Sequence, residues 1–149
     1  MEQRLFSAVR LIAALMLIFT VVLVFGEVIL RYVLNRSLGW GEELLRYLLI
    51  WMTFLGSYLA MKGNEHLSIG LFFRWLPPKW QPPIDTVANS LLLLFLGIFT
   101  VLSFQYTSKF FSDESTTLEV PMGAIYAILP IGGLLMFYQL LMNLRRRRR

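Results

Sequence analysis

Residues 31–69 decide the fold, and they read RYVLNRSLGWGEELLRYLLIWMTFLGSYLAMKGNEHLSI. Glu42, Glu43 and Arg46 open an apolar run that continues almost without charge. At spacings of three and four residues, these side chains should meet on one helix face, with both carboxylates in a first turn, where the helix dipole favours negative charge. An unpaired charge at the hydrocarbon centre costs several kcal/mol, so this group marks the point where a helix enters the membrane.

The composition indicates an integral membrane protein. Of the 149 residues, 57% are hydrophobic and 15% are charged, and the mean hydropathy of +0.64 is too high for an ordinary soluble domain. We therefore predict a single all-α membrane domain covering residues 1–149. The chain has no cysteine and one histidine, His66, so it lacks the residues for disulfides, thiol chemistry and the usual haem or zinc sites. We expect no metal and no cofactor.

Four apolar segments are long enough to cross a bilayer, which needs about 20 helical residues. They cover approximately residues 11–30, 44–61, 84–108 and 121–144. The first follows a basic start but has no evident signal-peptide cleavage site, so we expect it to be retained. Residues 66–76 are too short to span and too apolar to dissolve, and we predict a short interfacial helix there.

Basic residues predict the orientation and the lipid contacts. With four spans, both termini and the middle connection share one side of the membrane, and this side carries most of the Lys and Arg residues. The positive-inside rule therefore predicts that both termini are cytoplasmic. The run of five arginines at 145–149 is expected to face anionic lipid headgroups and not nucleic acid.

Two spans carry faces of small and polar residues. On the second span, one side carries Arg46, Thr53, Gly56, Ser57 and Ala60. The stripe on the third span consists of Thr86, Asn89, Ser90, Gly97, Thr100 and Thr107. Small residues allow helices to approach closely in lipid, and buried hydroxyl and amide groups need protein partners there. Four helices cannot easily satisfy all these faces, so we predict a subunit that buries them against a larger membrane partner.

Pro130 lies inside the fourth span. Because proline has no backbone N–H, it frees a carbonyl and should kink the helix, and Gly132 and Gly133 should ease the bend.

Glu27 is the only acid well inside a span, which makes it the default functional candidate. One interpretation is a self-contained, homodimeric exporter of the small multidrug type that carries its coupled proton on Glu27. The interpretation we favour is a structural ion pair with Arg31, four residues further on. Glu42, Glu43 and Arg46 have no nucleophile or metal set nearby, so we expect a structural or docking role for them and predict that the chain is not an enzyme.

The stretch quoted above resembles the signature of the small membrane subunit of tripartite ATP-independent periplasmic (TRAP) transporters, the DctQ-like family. The matching positions are Arg31, Tyr32, Asn35, Trp40, Glu42, Glu43, Arg46, residues 51–56 and His66. A second match, to the fourth helix of the family, consists of Leu118, Pro121, Met122, Tyr126, Pro130 and Gly132. Gly70 departs from the pattern, which has an acidic residue after the histidine.

The resemblance implies a role and not a reaction. Such transporters import organic acids across the bacterial inner membrane with a sodium gradient, using a periplasmic binding protein and two membrane subunits. The large subunit holds the substrate and sodium sites, so none is expected here, and the small one resembles a scaffold that stabilises it and helps to dock the binding protein. The residues expected to support structure or assembly are Glu27, Arg31, Trp40, Glu42, Glu43, Arg46, Thr53, Gly56, Ser57, Asn89, Thr100 and Pro130. The candidates for docking are Asn35, Arg36, Ser37, Asp113, Glu114 and Glu119.

Overall fold

The computed structural model describes residues 2–36, 38–62 and 81–147. Its helices are α1 (Glu2–Val33), α2 (Gly41–Lys62), α3 (Gln81–Lys109), α4 (Met122–Tyr126) and α5 (Ile128–Arg147). Four segments in these ranges are long and apolar enough to cross a membrane: Gln3–Val33, Gly41–Lys62, Gln81–Lys109 and Met122–Arg145. The predicted all-α membrane fold is therefore confirmed. The predicted interfacial helix and Ser37 lie outside the described residues.

Helix α1 ends in a left-handed turn. Asn35 adopts a φ of 47°, a conformation that asparagine tolerates better than most residues other than glycine. The backbone N–H of Arg36 then donates to the carbonyl of Leu30 at 3.0 Å, which satisfies one of the helix's terminal acceptors. The chain reverses within a few residues, so the end of α1 lies close to the start of α2.

Helix α2 begins at Gly41, three residues before the predicted span. The carbonyl of Trp40 accepts the N–H of Leu44 at 3.0 Å, and the carbonyl of Leu38 accepts that of Gly41 at 3.0 Å. Glu42 and Glu43 consequently lie in the first turn, where their charge complements the helix dipole.

Neighbouring helices contact one another in the order α1, α2, α5, α3, and α4 contacts α3 and α5. Helix α5 therefore lies between α2 and α3. In the span that α4 and α5 form, 44% of an apolar 18-residue stretch is buried, against 11% in α1 and 11% in α3. Most of the α1 and α3 surfaces are thus left for lipid or for another protein.

Two adjacent glycines allow α5 to approach both of its neighbours. A Cβ atom on Gly132 would lie 2.8 Å from the Cβ of Phe54 in α2, and one on Gly133 would lie 2.6 Å from the Oγ1 of Thr100 in α3. These contacts are too close for any side chain. The glycines are therefore needed for helix packing, a role that the sequence-based interpretation of an eased bend did not include.

The fourth span is interrupted at Ala127, three residues before Pro130. Since Pro130 has no N–H for the carbonyl of Tyr126, that oxygen is free for another donor, and the Oγ1 of Thr107 donates to it at 3.2 Å. The Nε1 of Trp51 donates to the adjacent carbonyl of Ile125 at 3.1 Å. Side chains from α2 and α3 thus support the interrupted backbone from two sides.

Candidate functional site

Glu43 joins the start of α2 to the connection between α3 and α4. Its side chain is buried, with 9% of the residue exposed. Oε2 accepts the backbone N–H groups of Thr117 and Leu118 at 3.0 and 3.1 Å, and Oε1 accepts the hydroxyl of Tyr47. Hydrogen bonds to a charged acceptor are roughly twice as strong as neutral ones, so this carboxylate holds the connection firmly.

The same connection, residues 110–121, is also closed by its own backbone. The N–H of Ser115 donates to the carbonyl of Val120 at 2.9 Å, and that of Met122 donates to the carbonyl of Asp113 at 2.7 Å. Glu119 takes a φ of 52° at the turn. The connection is therefore a compact turn held in place by Glu43.

A second charged group forms where α1 meets α2. The Nη2 of Arg31 donates a hydrogen bond to the Oε1 of Glu42 and lies 3.6 Å from the Oε1 of Glu27. The predicted Glu27–Arg31 ion pair is thus present, but the stronger contact of Arg31 is to Glu42. Glu27 also packs against the start of α2, since a Cβ on Gly41 would lie 3.1 Å from its Oε1.

The prediction that Glu42, Glu43 and Arg46 meet on one helix face is wrong. Glu42 turns to Arg31, and Glu43 turns to the 110–121 connection. Arg46 is exposed and takes part in neither of the ion pairs found among the described residues. The reason is energetic: an exposed pair at a spacing of three or four contributes about 0.2–0.5 kcal/mol, less than several charge-assisted bonds to partners elsewhere in the fold.

The small-residue face of α2 is open. Thr53, Gly56, Ser57 and Ala60 are all exposed. The hydroxyls of Thr53 and Ser57 donate to carbonyls one turn back in their own helix, each at 2.7 Å, and nothing lies within 4 Å of the Cβ position of Gly56. A second helix can therefore approach this face without leaving its polar groups unsatisfied.

The polar stripe on α3 divides into two parts. Thr86 and Ser90 are exposed, and Asn89 donates to the carbonyl of Asp85 at 2.7 Å. Thr100 packs beside Gly133, and Thr107 bonds to the α4 backbone. The expectation that the whole stripe faces a partner is therefore wrong for this second part, which packs inside the chain.

An apolar groove of about 460 Å³ lies between α2 and α3. It is lined by Phe54, Ser57, Ala60, Met61, Leu92, Phe95, Leu96, Phe99 and Met136. The rings of Phe54 and Phe99 stack across it, with centroids 5.7 Å apart. This groove was not predicted from the sequence, although small residues on one span and large apolar ones on another were the available signal.

The docking candidates lie on two neighbouring surfaces. Asn35 and Arg36 are exposed directly after α1, and Asp113, Glu114 and Glu119 are exposed on the 110–121 connection. Trp40, next to the start of α2, is 41% exposed. In the described ranges, no three His, Asp or Glu side chains form a group that could hold a metal ion.

The family of tripartite ATP-independent periplasmic transporters, DctQ component, has a sequence model that matches residues 20–149. The chain belongs to this family. The resemblance identified from the residues is confirmed, and membership shows that this DctQ-family chain is a component of a transporter and not an enzyme.

Curated relatives agree with the family assignment. A Haemophilus influenzae protein provisionally named as a TRAP transporter small permease is 32% identical over 117 residues, which cover 76% of this chain and 71% of the relative. The sialic acid TRAP transporter small permease protein SiaQ of Vibrio cholerae is 29% identical over 109 residues, covering 73% of this chain and 63% of SiaQ.

A longer relative places a similar region inside a larger permease. The sialic acid TRAP transporter permease protein SiaT of Haemophilus influenzae is 27% identical over 121 residues, covering 78% of this chain but only 19% of SiaT. The DctQ-like part of SiaT is therefore one segment of a much longer polypeptide.

Proposed function

We propose that this chain is the small scaffold subunit of a sodium-coupled, binding-protein-dependent transporter that imports organic acids across the bacterial inner membrane. It would stabilise a large permease subunit and help to dock a periplasmic binding protein. The open α2 face and the adjacent groove carry this proposal, because they form a surface that the described helices leave uncovered.

The chemistry of this surface suits a transmembrane helix. In lipid, helices associate through close packing and not through a hydrophobic driving force, so small residues and shape complementarity decide where they meet. Gly56, Ser57 and Ala60 supply the small residues, and Phe95 and Phe99 supply large apolar surface beside them. The occupant that we propose is a helix of the large subunit. The length of SiaT supports this, since a DctQ-like region there shares one chain with far more permease sequence.

We further propose that both termini are cytoplasmic, so that the 110–121 connection and the α1–α2 junction face the periplasm. The distribution of basic residues supports this orientation. Docking of the binding protein would then use Asn35, Arg36 and the acidic residues of the compact turn.

A tryptophan in the groove tests the assembly proposal. Ala60→Trp fills part of the groove and should strongly reduce co-purification of the large permease subunit of the proposed transporter. Leu94→Trp is the matched control, because Leu94 is 60% exposed and lies on the opposite side of α3 from the groove-lining residues at the helical period. Equal recovery of the large subunit with both variants would contradict the proposal.

Transport provides the functional test. Proteoliposomes that contain both membrane subunits and the binding protein should take up an organic acid when a sodium gradient is applied, and the chain alone should not. Proton-driven flux from the chain alone, lost in Glu27→Gln, would instead support the exporter alternative. Membership in the DctQ family favours the subunit role.

A further inference from the structure

A cavity of about 180 Å³ lies beside the C-terminal end of α1. It is lined by Val24, Glu27, Val28, Arg31, Tyr32 and Glu42. One molecule of liquid water takes about 30 Å³, so the cavity has room for a larger polar group. The lining has two acidic side chains, Glu27 and Glu42, and one basic side chain, Arg31. Acidic groups therefore outnumber basic groups in the cavity.

Glu27 has a buried side-chain oxygen without a hydrogen bond in the described part of the chain. It is only 6% exposed, and its Oε1 is buried with no hydrogen-bond partner among the described residues. The ion pair to Arg31 is long, at 3.6 Å, and the same Nη2 is engaged by Glu42. A buried carboxylate oxygen without a hydrogen bond is costly, so this geometry favours a donor that comes from outside the chain.

We propose that the cavity binds a primary ammonium group, which donates hydrogen bonds to Glu27. An ammonium group supplies three N–H donors and the positive charge that balances the lining. Val24 and Val28 are 40% and 48% exposed and offer an apolar wall for the carbon atoms attached to the nitrogen. The group has two sources, the headgroup of phosphatidylethanolamine and a soluble primary amine.

The test compares ligands that differ in N-methylation. Phosphatidylethanolamine carries three N–H donors and phosphatidylcholine carries none. In native mass spectrometry, the wild-type chain should retain phosphatidylethanolamine about tenfold better than phosphatidylcholine, the effect expected of one charge-assisted hydrogen bond. Glu27→Gln should abolish this preference, whereas Glu114→Gln, on the exposed turn, should keep it.

A second arm distinguishes the two sources. Ethanolamine and choline are compared at equal concentration for their effect on the melting temperature of the lipid-depleted chain. If ethanolamine raises the melting temperature and choline does not, while the chain retains both lipids equally, the site is assigned to a soluble amine.

The proposal is overturned if the wild-type chain retains both lipids equally and ethanolamine has no more effect than choline. This comparison needs no variant, so it remains decisive if Glu27→Gln does not fold. A lipid preference that persists unchanged in a folded Glu27→Gln protein also overturns it, because the amine then binds elsewhere.

Discussion

Glu43 shows how one side chain can organise two separate segments. Its buried carboxylate accepts two backbone N–H groups from the 110–121 connection and the Tyr47 hydroxyl from its own helix. The two amides belong to neighbouring residues, Thr117 and Leu118, of that connection. Removing the carboxylate therefore affects the connection and the start of α2 together.

We predict that Glu43→Ala destabilises the chain. The N–H groups of Thr117 and Leu118 lose their acceptor, and leaving a buried donor unsatisfied costs about 1–3 kcal/mol. The melting temperature of the purified protein should fall. Glu114→Ala, on the same turn but exposed, should leave it nearly unchanged. Similar melting temperatures for the two variants would show that the carboxylate is not needed for stability.

The interruption in the fourth span is supported by hydrogen bonds from neighbouring helices. Proline withdraws the donor from the Tyr126 carbonyl, and a neighbouring helix supplies another through Thr107. The interruption is therefore supported by tertiary contacts and is a fixed part of the fold. Trp51 also donates a hydrogen bond to the backbone of α4.

The compensation of Pro130 by Thr107 predicts non-additive effects of two substitutions. In the wild-type chain, Thr107→Val should lower the free energy of unfolding by about 0.5–1.5 kcal/mol, the net contribution of a typical hydrogen bond. In a Pro130→Ala background the restored N–H can serve the Tyr126 carbonyl, so Thr107→Val should cost much less. A double-mutant cycle of unfolding free energies measures the difference. Equal costs in both backgrounds would mean that Thr107 does not compensate for the proline.

The elements also show where sequence reasoning succeeds and where it fails. Apolar length predicts the spanning helices, and Pro130 predicts a distortion, because these properties belong to single helices. Arg31 in α1 pairs with Glu42 in α2. Spacing rules within a single helix cannot predict a contact between two helices. The same limit explains why the groove was missed, and why the polar stripe on α3 was wrongly expected to face a partner along its whole length.

For the whole molecule, the main property is the amount of surface that the helices leave uncovered. Helix α5 has neighbours on two sides, whereas α1 and α3 each expose most of their apolar residues. Arg46 is exposed at the start of α2, outside both ion pairs of the described chain. An arginine at the membrane edge is well suited to contact a partner protein, since its planar group donates several hydrogen bonds at once.

We therefore predict that Arg46→Ala lowers recovery of the large permease subunit without changing the melting temperature of the isolated chain. Quantitative co-purification from matched expression levels measures the first effect, and thermal unfolding in detergent measures the second. Arg10→Ala, at an exposed position in α1, serves as the control for loss of a positive charge. Undiminished recovery and transport with Arg46→Ala would exclude this role.

The bond network of Glu43 has a consequence for encounters with a soluble protein. A segment that is already ordered in the free protein does not have to become ordered on binding. Association with a partner therefore loses little conformational entropy. The turn loses its conformational entropy once, when the chain folds, and would not lose it again in the docking of a binding protein proposed above. In the docking role proposed above, more of the interaction free energy would therefore remain for binding itself.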